Sequence, residues 1–337
     1  MQIVRSLVPT SSSGFLAIIV VAVIVAAFIC VIALSMGSTN IPILDLINIL
    51  LNGDGSLASR IILEIRLPRV LTGFCVGGML ALAGCLMQVL LRNPLAEPYI
   101  LGISGGAAVF SLSAILIGVS GYWVNLGAFT GAIISILLVF LLSRAGGEWN
   151  SLRTLLTGVV LAAGWGAIIS FLLAISPSDR LHGMLFWLMG DLSFAEYSSW
   201  NIIVLIVSLA ACMLIARALN LLATGKKNAL ALGVSVTSLN YFIYFFASIL
   251  TAAAVMQAGS IGFIGLVIPH LVRLLFGSDH RLLLPVSVIF GGSLLVFADG
   301  LARTVMAPQQ LPVGILTAMM GVPLFLLLLR TSYVKKS

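Results

Sequence analysis

Residues that could carry out chemistry are few in this chain and stand far apart. The three histidines, His182, His270 and His280, belong to no pattern of metal-binding cysteines or carboxylates. A phosphate-binding loop of the form G-x-x-x-x-G-K-[S/T] is absent, because Asn220 stands five residues before Gly225-Lys226. The sequence therefore predicts no catalytic residue, no metal site and no cofactor on this chain, and any nucleotide should bind to another chain.

Ionisable groups inside the apolar segments are also scarce. A carrier driven by protons or sodium is expected to bury such groups at mid-membrane, whereas the nearest, Asp299 and Arg273, lie close to the ends of apolar runs. This argues against a self-powered carrier. The four cysteines, Cys30, Cys75, Cys85 and Cys212, all fall within apolar runs and are interpreted as packing residues.

One polar break stands out between two long apolar runs. Asn93-Pro94 and Glu97-Pro98 interrupt the chain after Leu91, since proline lacks an amide proton and disfavours the α conformation in the residue before it. Unwound backbone within a bilayer is tolerated only where it is buried in protein or lines a water-filled cavity. The break is either a tight turn at a membrane face or a gate or binding loop.

Composition assigns the chain to the membrane proteins. Hydrophobic residues make up 61% and charged residues 8% of its 337 residues, too little polar surface for a soluble domain of this size. We predict an all-α polytopic membrane protein, a single transmembrane domain over 1–337 with about ten membrane helices. The apolar runs lie near 15–35, 70–91, 99–118, 123–142, 154–175, 199–217, 238–257, 261–276, 283–301 and 313–330.

Basic residues predict the orientation. If both termini are cytoplasmic, twelve lysines and arginines lie on that side and five lie outside, in agreement with the positive-inside rule. The net charge of +7 then requires no nucleic-acid partner. Glycine pairs four residues apart, such as Gly73 with Gly77, Gly102 with Gly106 and Gly127 with Gly131, predict close helix packing, chiefly within one subunit.

Two outer segments are predicted to be more than simple loops. Ile43, Leu46, Ile47 and Leu50 have helical spacing and predict an amphipathic surface helix. Arg66-Leu-Pro-Arg69 then places two cations where the next helix enters the membrane, and they are either snorkelling anchors or a functional pair.

A second outer segment, at about 178–192, is too short to span and too apolar to lie free in water. It should form a short helix at the outer mouth with Met184, Trp187 and Met189 as candidate lining residues. An interfacial aromatic anchor is an equally good interpretation of Trp187. His182 should be solvated.

The longest inner connection, at 218–237, is divided by Gly225 and Gly233 into two short helical pieces with apolar faces. Lys226 and Lys227 favour contact with lipid headgroups. The apolar residues around them are equally compatible with a partner helix or groove.

Seven motifs, in order along nearly the whole chain, resemble the permease subunits of type II ATP-binding-cassette (ABC) importers for iron chelates, haem and cobalamin. They are Arg66-Leu-Pro-Arg69; Gln88 with Arg92-Asn-Pro-Leu-Ala-Glu-Pro98 and Leu101-Gly102; Phe186-Trp-Leu-Met-Gly190; Leu219-Asn-Leu-Leu222 with Leu232-Gly233-Val234; Gly262-Phe-Ile-Gly-Leu-Val-Ile-Pro-His270 with Arg273, His280-Arg281 and Leu284-Pro285; Ala298-Asp299 with Arg303; and Leu311-Pro-Val-Gly314 with Gly321.

The resemblance implies roles for three groups of residues. Asn93, Pro94 and Leu95, joined by Ser151 and Leu152, correspond to a cytoplasmic gate. Residues 219–236, with Leu219, Leu222, Gly225, Leu232 and Gly233, correspond to coupling helices that seat in the ATPase subunit. Arg66, Arg69 and Arg303 correspond to cations that receive acidic residues of a binding protein.

The resemblance also implies an assembly and a location. The partners would be a second copy or a close paralogue, two ATPase subunits carrying ATP and Mg, a periplasmic or lipid-anchored substrate-binding protein, and membrane lipid. The location would be the cytoplasmic (inner) membrane of a bacterium or archaeon. Two positions depart from the family pattern: Gln310, where Glu is common, and Lys226-Lys227, where acidic or neutral residues are common.

The expected function is ATP-driven import of an iron-siderophore chelate through a channel between two permease subunits. Cobalamin, haem and molybdate are alternative substrates that the sequence does not separate. A stand-alone carrier or channel is the alternative of a different class.

Overall fold

The computed structural model describes residues 12–37, 41–52, 55–119, 121–143, 151–193 and 199–333, and these ranges contain helices and no strand. The first seven helices are α1 (Ser12–Ser35), α2 (Ile43–Asn52), α3 (Leu57–Leu90), α4 (Ile103–Leu116), α5 (Tyr122–Ser143), α6 (Ser151–Ala174) and α7 (Ser178–Met189). The other seven are α8 (Ser199–Leu214), α9 (Ala216–Ala223), α10 (Lys226–Ala231), α11 (Val236–Ala258), α12 (Ile264–Phe276), α13 (His280–Ala302) and α14 (Val313–Tyr333).

The predicted all-α class is confirmed, and each of the ten predicted apolar spans coincides with a helix. Six helices of the described ranges, α1, α3, α5, α6, α11 and α13, are long and apolar enough to cross a membrane. The α8–α9 pair would add a seventh span, although the two helices are bent by 63° at Ile215. The remaining apolar helices at predicted spans, α4, α12 and α14, are shorter over their described apolar stretches.

Helix α3 lies at the centre of the bundle and packs against α11, α12 and α13. Glycines allow this packing, because a Cβ atom at Gly77 would collide with the carbonyl of Gly291 in α13, and one at Gly84 with the carbonyl of Gly265 in α12. Close backbone approach is how membrane helices gain packing energy when lipid is as apolar as the protein. Gly106 and Gly131 join α4 and α5 in the same way, so the predicted packing role of the glycines within one subunit is confirmed for these pairs.

Helices α1 and α6 lie at the periphery. One face of α1, including Val21, Ile24 and Phe28, is exposed, whereas residues such as Ile18 and Ile29 pack against the bundle. Helix α6 exposes Leu156, Val160 and Phe171. In a membrane protein such surfaces face lipid or another subunit.

Two details of the outer segments differ from the sequence prediction. Helix α3 begins at Leu57, well before the predicted start at residue 70, and contains a π-helical turn at Ile61–Arg66. Helix α2 forms as predicted, but Leu46 and Ile49 are its buried residues, while Ile47 and Leu50 are exposed.

The bundle has two chemically different ends. At one end, the turn end, lie the break after Leu90, helices α9 and α10, and the junction between α12 and α13. At the other, the arginine end, Arg66, Arg69 and Arg303 meet beside α7. Helices α3 and α13 run antiparallel between these ends, since Arg69 pairs with Asp299 and Gly77 packs on Gly291.

Candidate gate, coupling segment and arginine cluster

The break after α3 is a compact turn rather than a loose loop. The side-chain Oδ1 of Asn93 accepts the backbone N–H of Leu95 at 2.9 Å, and the Asn93 carbonyl accepts the N–H of Ala96 at 3.0 Å. Arg92 adopts a left-handed conformation at φ 48°, which is uncommon for a residue other than glycine. These hydrogen bonds close the turn, and Leu95 between the prolines is 39% exposed. The gate role of this turn stays a prediction.

The same turn is tied to the break between α11 and α12. Glu97 accepts the backbone N–H of Phe263 at 2.9 Å through Oε1, and the Tyr99 hydroxyl accepts the N–H of Ile261 at 3.2 Å. Phe263 has φ 70°, so this partly buried carboxylate caps a left-handed residue at the start of α12. Sequence reasoning named Asp299 and Arg273 as the nearest ionisable groups to the membrane interior and overlooked Glu97. The signal was present, since Glu97 is an acid flanked by apolar residues and prolines.

Helix α6 also contacts the residues that follow this turn. Gly158 lies against the carbonyl of Ile100, in the 3-10 turn Pro98–Leu101 that follows the break. Ser151 is the first residue of α6, and Leu152 beside it is exposed. The structure therefore brings both predicted gate segments to the turn end, although the side chain of Ser151 lies outside the described residues.

The predicted coupling connection forms two short helices, α9 and α10, as expected. Gly225 (φ 126°) separates α9 from α10, Gly233 (φ 81°) follows α10, and both adopt backbone conformations that favour glycine. One expectation is wrong. Leu219 and Leu222 are at most 1% exposed and pack into the core of this chain, so they anchor α9 and do not present an apolar face to a partner.

The outward face of the connection comes instead from α10 and the residues after it. Leu230 is 52% and Leu232 is 64% exposed. Lys226 and Lys227 are exposed on the same short helix. The surface available to a partner is thus centred on Leu230 and Leu232.

The three arginines of the arginine end form an internal cluster. Arg69 donates to Asp299 through Nε and Nη2, at 2.8 to 3.1 Å, and through Nη1 to Gln310 Oε1 at 2.8 Å. Arg303 lies 3.1 Å from the other Asp299 oxygen and donates to the Ala33 carbonyl. Arg66 donates to the carbonyl of Leu34 at 2.8 Å. These contacts join α1, α3 and α13.

Burial changes the interpretation of these cations. Arg66, Arg69 and Arg303 are 4%, 8% and 7% exposed, so they are neither snorkelling anchors nor free surface charges in the single chain. Their predicted contact with a binding protein stays a prediction. Gln310, which departs from the family pattern, accepts from Arg69 as a neutral group, and Asp299 is the carboxylate that pairs with both Arg69 and Arg303 in the described part of the chain.

Replacing Asp299 with Asn should destabilise the protein strongly. The change leaves Arg69 and Arg303 buried without their carboxylate, and breaking a buried ion pair costs about 3–5 kcal/mol. Thermal unfolding of the purified protein in detergent would measure this loss. Asp45→Asn, an exposed acid on α2, is the matched control. Equal stability of both variants and the parent would show that the cluster does not hold this end together.

The short helix α7 forms at the arginine end, close to the predicted range 178–192. His182 is exposed, as predicted. Met184 does not line an opening, because it is fully buried against Leu112 of α4 and Leu172 of α6. Trp187 does line a cavity of 410 Å³, together with Phe186, Met256 and Gln257 among others. Met189 is partly buried, and its carbonyl packs against Gly314 at the start of α14.

Known proteins resemble this chain along almost its whole length. It is 42% identical over 315 residues to the hemin transport system permease protein of Yersinia pestis, covering 89% of this chain and 93% of that protein. It is 41% identical over 284 residues to the cobalamin import system permease protein of Halobacterium salinarum, covering 82% and 75% respectively.

A solved structure and a family model agree with these relatives. The structure, described as an inward-facing conformation of a putative metal-chelate type ABC transporter, matches with a TM-score of 0.83 and 32% identity over 94% of this chain and 99% of that chain. The model of the FecCD transport family matches residues 16–331. With the fold and the motif order in agreement, this chain belongs to the FecCD transport family and is a multi-pass membrane permease.

Proposed function

We propose that this chain is the membrane subunit of an ATP-driven importer that carries an iron-siderophore chelate into the cytoplasm. The observation that carries the proposal is the arrangement at the turn end, where an exposed apolar segment, α10 with Leu232, lies at the same end as a proline-bounded turn with an exposed Leu95. A partner subunit that moves α10 can therefore also move the turn that carries Leu95. In this proposal the turn end faces the cytoplasm, as do both termini, in keeping with the positive-inside rule.

The energy source is a separate ATPase subunit. The sequence has no phosphate-binding loop, and Leu230 and Leu232 provide an apolar contact of the kind that seats a short helix in a groove. Lys226 and Lys227 border this contact and would favour an acidic rim on the ATPase.

A second copy, or a close paralogue, completes the pathway. Helix α6 supports this proposal, because Gly164 and Gly166 have open space where a Cβ atom would lie. Its neighbouring apolar residues, such as Val160 and Phe171, are exposed. Small residues flanked by exposed apolar ones allow close contact between membrane helices. Leu152 at the start of α6 would then face the pathway together with Leu95.

A substrate-binding protein would dock at the arginine end. Among the described residues, Arg69 and Arg303 share one carboxylate, Asp299, so this pair of guanidinium groups carries a surplus of positive charge. An acidic patch on a binding protein would complement that surplus, and added salt should weaken the complex. Because the arginines are buried, the field of the cluster and not direct exposed ion pairs would act first.

The substrate class is a metal chelate. Relatives named for hemin and cobalamin support this class, and we select the iron-siderophore chelates within it. The cavity beside Trp187 and Met256 offers an apolar wall at the arginine end where such a chelate would enter.

Proteoliposomes test this function directly. The permease, its ATPase and its loaded binding protein should take up a ferric siderophore only when ATP is present on the ATPase side. Haem, cobalamin and molybdate serve as competing substrates, and thermal stabilisation of the binding protein by each ligand identifies the one it carries. Uptake by the permease alone, driven by a proton or sodium gradient, would contradict the proposal and indicate a stand-alone carrier.

A further inference from the structure

A recess of 530 Å³ opens at the turn end, between the turn after α3, helix α9 and the start of α13. Gln88, Arg92, Asn220, Arg273, Asp279 and His280 are among its lining residues. Neither arginine belongs to an ion pair within the described part of the chain. Asp279 is the carboxylate among these lining residues, and no ion pair of the described chain joins it to either arginine, so both guanidinium groups keep their charge in the recess.

Arg273 is held in position with one nitrogen unused. Its Nη2 donates to Gln88 Oε1 at 2.9 Å, and the Gln88 amide donates in turn to the carbonyl of Leu266 at 3.3 Å. The Nη1 atom is buried and has no hydrogen-bond partner among the described residues. A buried charged donor without a partner is costly, which indicates that a negatively charged group belongs beside it.

The tautomer of His280 follows from its neighbours. The backbone N–H of His280 donates to Asn220 Oδ1 at 2.9 Å, and Asn220 Nδ2 donates to Asp279 Oδ1 at 2.8 Å. These two contacts fix the amide orientation of Asn220, because a backbone N–H can only donate and a carboxylate can only accept. The Nδ1 atom of His280 lies 2.6 Å from the same Oδ1 and must carry the proton.

The orientation assigned to the Asn220 amide requires that the carboxyl of Asp279 be ionised. Burial alone would raise the pKa of its carboxyl, but hydrogen bonds from the Arg281 N–H and the Asn220 amide, together with the charge of Arg281, lower that pKa below its usual value. Asp279 is therefore ionised near neutral pH and acts only as an acceptor.

The other ring nitrogen of His280, Nε2, carries no proton and is a hydrogen-bond acceptor. His280 is 2% exposed, and its Nε2 is buried without a partner in the described residues. In the neutral imidazole this atom can only accept a hydrogen bond. A ligand that accepts hydrogen bonds from arginine and also donates one to histidine would satisfy both atoms.

We propose that this recess binds inorganic phosphate. Its charged oxygens accept hydrogen bonds from Arg273 Nη1 and from Arg92, and its hydroxyl group donates to His280 Nε2. Both ionic forms of phosphate present near neutral pH keep a hydroxyl. Sulfate and carboxylates have no proton to donate there and would leave Nε2 unpaired. Bound phosphate would join the turn after α3 to α12 and α13.

Calorimetric titration of the purified chain in nanodiscs of phosphatidylcholine, without ATPase, tests this site. Inorganic phosphate should bind saturably at constant ionic strength, and sulfate should bind at least about tenfold more weakly, the loss expected for one unmade hydrogen bond to a buried group. Arg273→Gln and Arg92→Gln should each weaken phosphate binding by about tenfold or more, since each removes a charge-assisted hydrogen bond. Arg217→Gln, an exposed arginine of α9 outside the recess, is the matched control and should leave binding unchanged.

His280→Phe isolates the hydroxyl contact, because it keeps a ring but removes both nitrogens. The variant should lose the preference for phosphate over sulfate. If it fails to fold, Arg92→Gln, on an exposed turn, still decides the outcome. Equal binding of sulfate and phosphate by the parent, or phosphate binding that neither arginine variant weakens, would overturn the proposal, as would the absence of saturable binding.

Discussion

Leu232→Asp should abolish both co-purification of the ATPase subunit and ATP-driven transport, while the permease still inserts and folds. Leu232 is 64% exposed at the end of α10, so a charge there meets water in the free subunit but would be buried against the partner. Burying an unpaired carboxylate costs several kcal/mol, enough to remove a typical interface contact entirely. Affinity pull-down of the ATPase from detergent extracts measures the first effect, and uptake in proteoliposomes the second.

Two control variants make that experiment decisive. Thr237→Asp places the same charge on an exposed residue of the first turn of α11, outside the proposed contact, and should retain the ATPase. Leu222→Asp should fail differently, by misfolding, because Leu222 is 1% exposed in the core of this chain. Normal co-purification with Leu232→Asp would show that the ATPase docks elsewhere.

Leu95→Ser should make the assembled importer leak its substrate without ATP. A route wide enough for a chelate must be closed when idle, and a ring of apolar side chains can close it by excluding water. Leu95 is positioned for this by the Asn93 hydrogen bond and by Pro94. Efflux from loaded proteoliposomes should rise well above that of the parent, with Leu95→Ala giving a smaller rise in the same direction.

Cysteine crosslinking adds a structural measurement to the leak. Leu95→Cys in both copies should crosslink across the dimer in the closed state and not after nucleotide opens the gate, a two-state hinge change. Leu141, an exposed leucine on α5, provides the control as Leu141→Ser and should not leak. Crosslinking independent of nucleotide, with unchanged leak, would place the gate elsewhere, first at Ser151 and Leu152.

The sequence predicted the positions of the helices along the chain better than which side of each helix is buried. Ten apolar runs marked ten helices, because run length and lack of charge are strong signals for membrane helices. The start of α3 was missed because Arg66, Pro68 and Arg69 resemble a loop. In the structure the helix continues through them, with a π-helical turn at Ile61–Arg66 directly before the proline and the arginines satisfied internally.

Several candidate site residues are buried where the sequence analysis expected them to face a partner or a pathway. Leu219, Leu222 and Met184 are apolar residues whose type fits either a core or a contact surface, and only the three-dimensional packing separates the two. The pairing of Arg69 with Asp299 spans 230 residues, so no local pattern could have predicted it. Glu97 could have been recognised, since an acid between prolines in an apolar region requires a buried partner.

Helices α1 and α3 should be subject to two different evolutionary constraints. Positions on the outer face of α1, such as Ile24 and Phe28, are 62% and 63% exposed. These positions should therefore tolerate apolar residues of any size and exclude only charged residues. Gly77 and Gly84 of α3 should behave in the opposite way, because volume and not polarity is limiting where two backbones touch. A hydropathy profile detects the exclusion of charge from α1, but it does not detect the limit on side-chain volume at the glycines of α3. That volume limit determines how the helices are arranged.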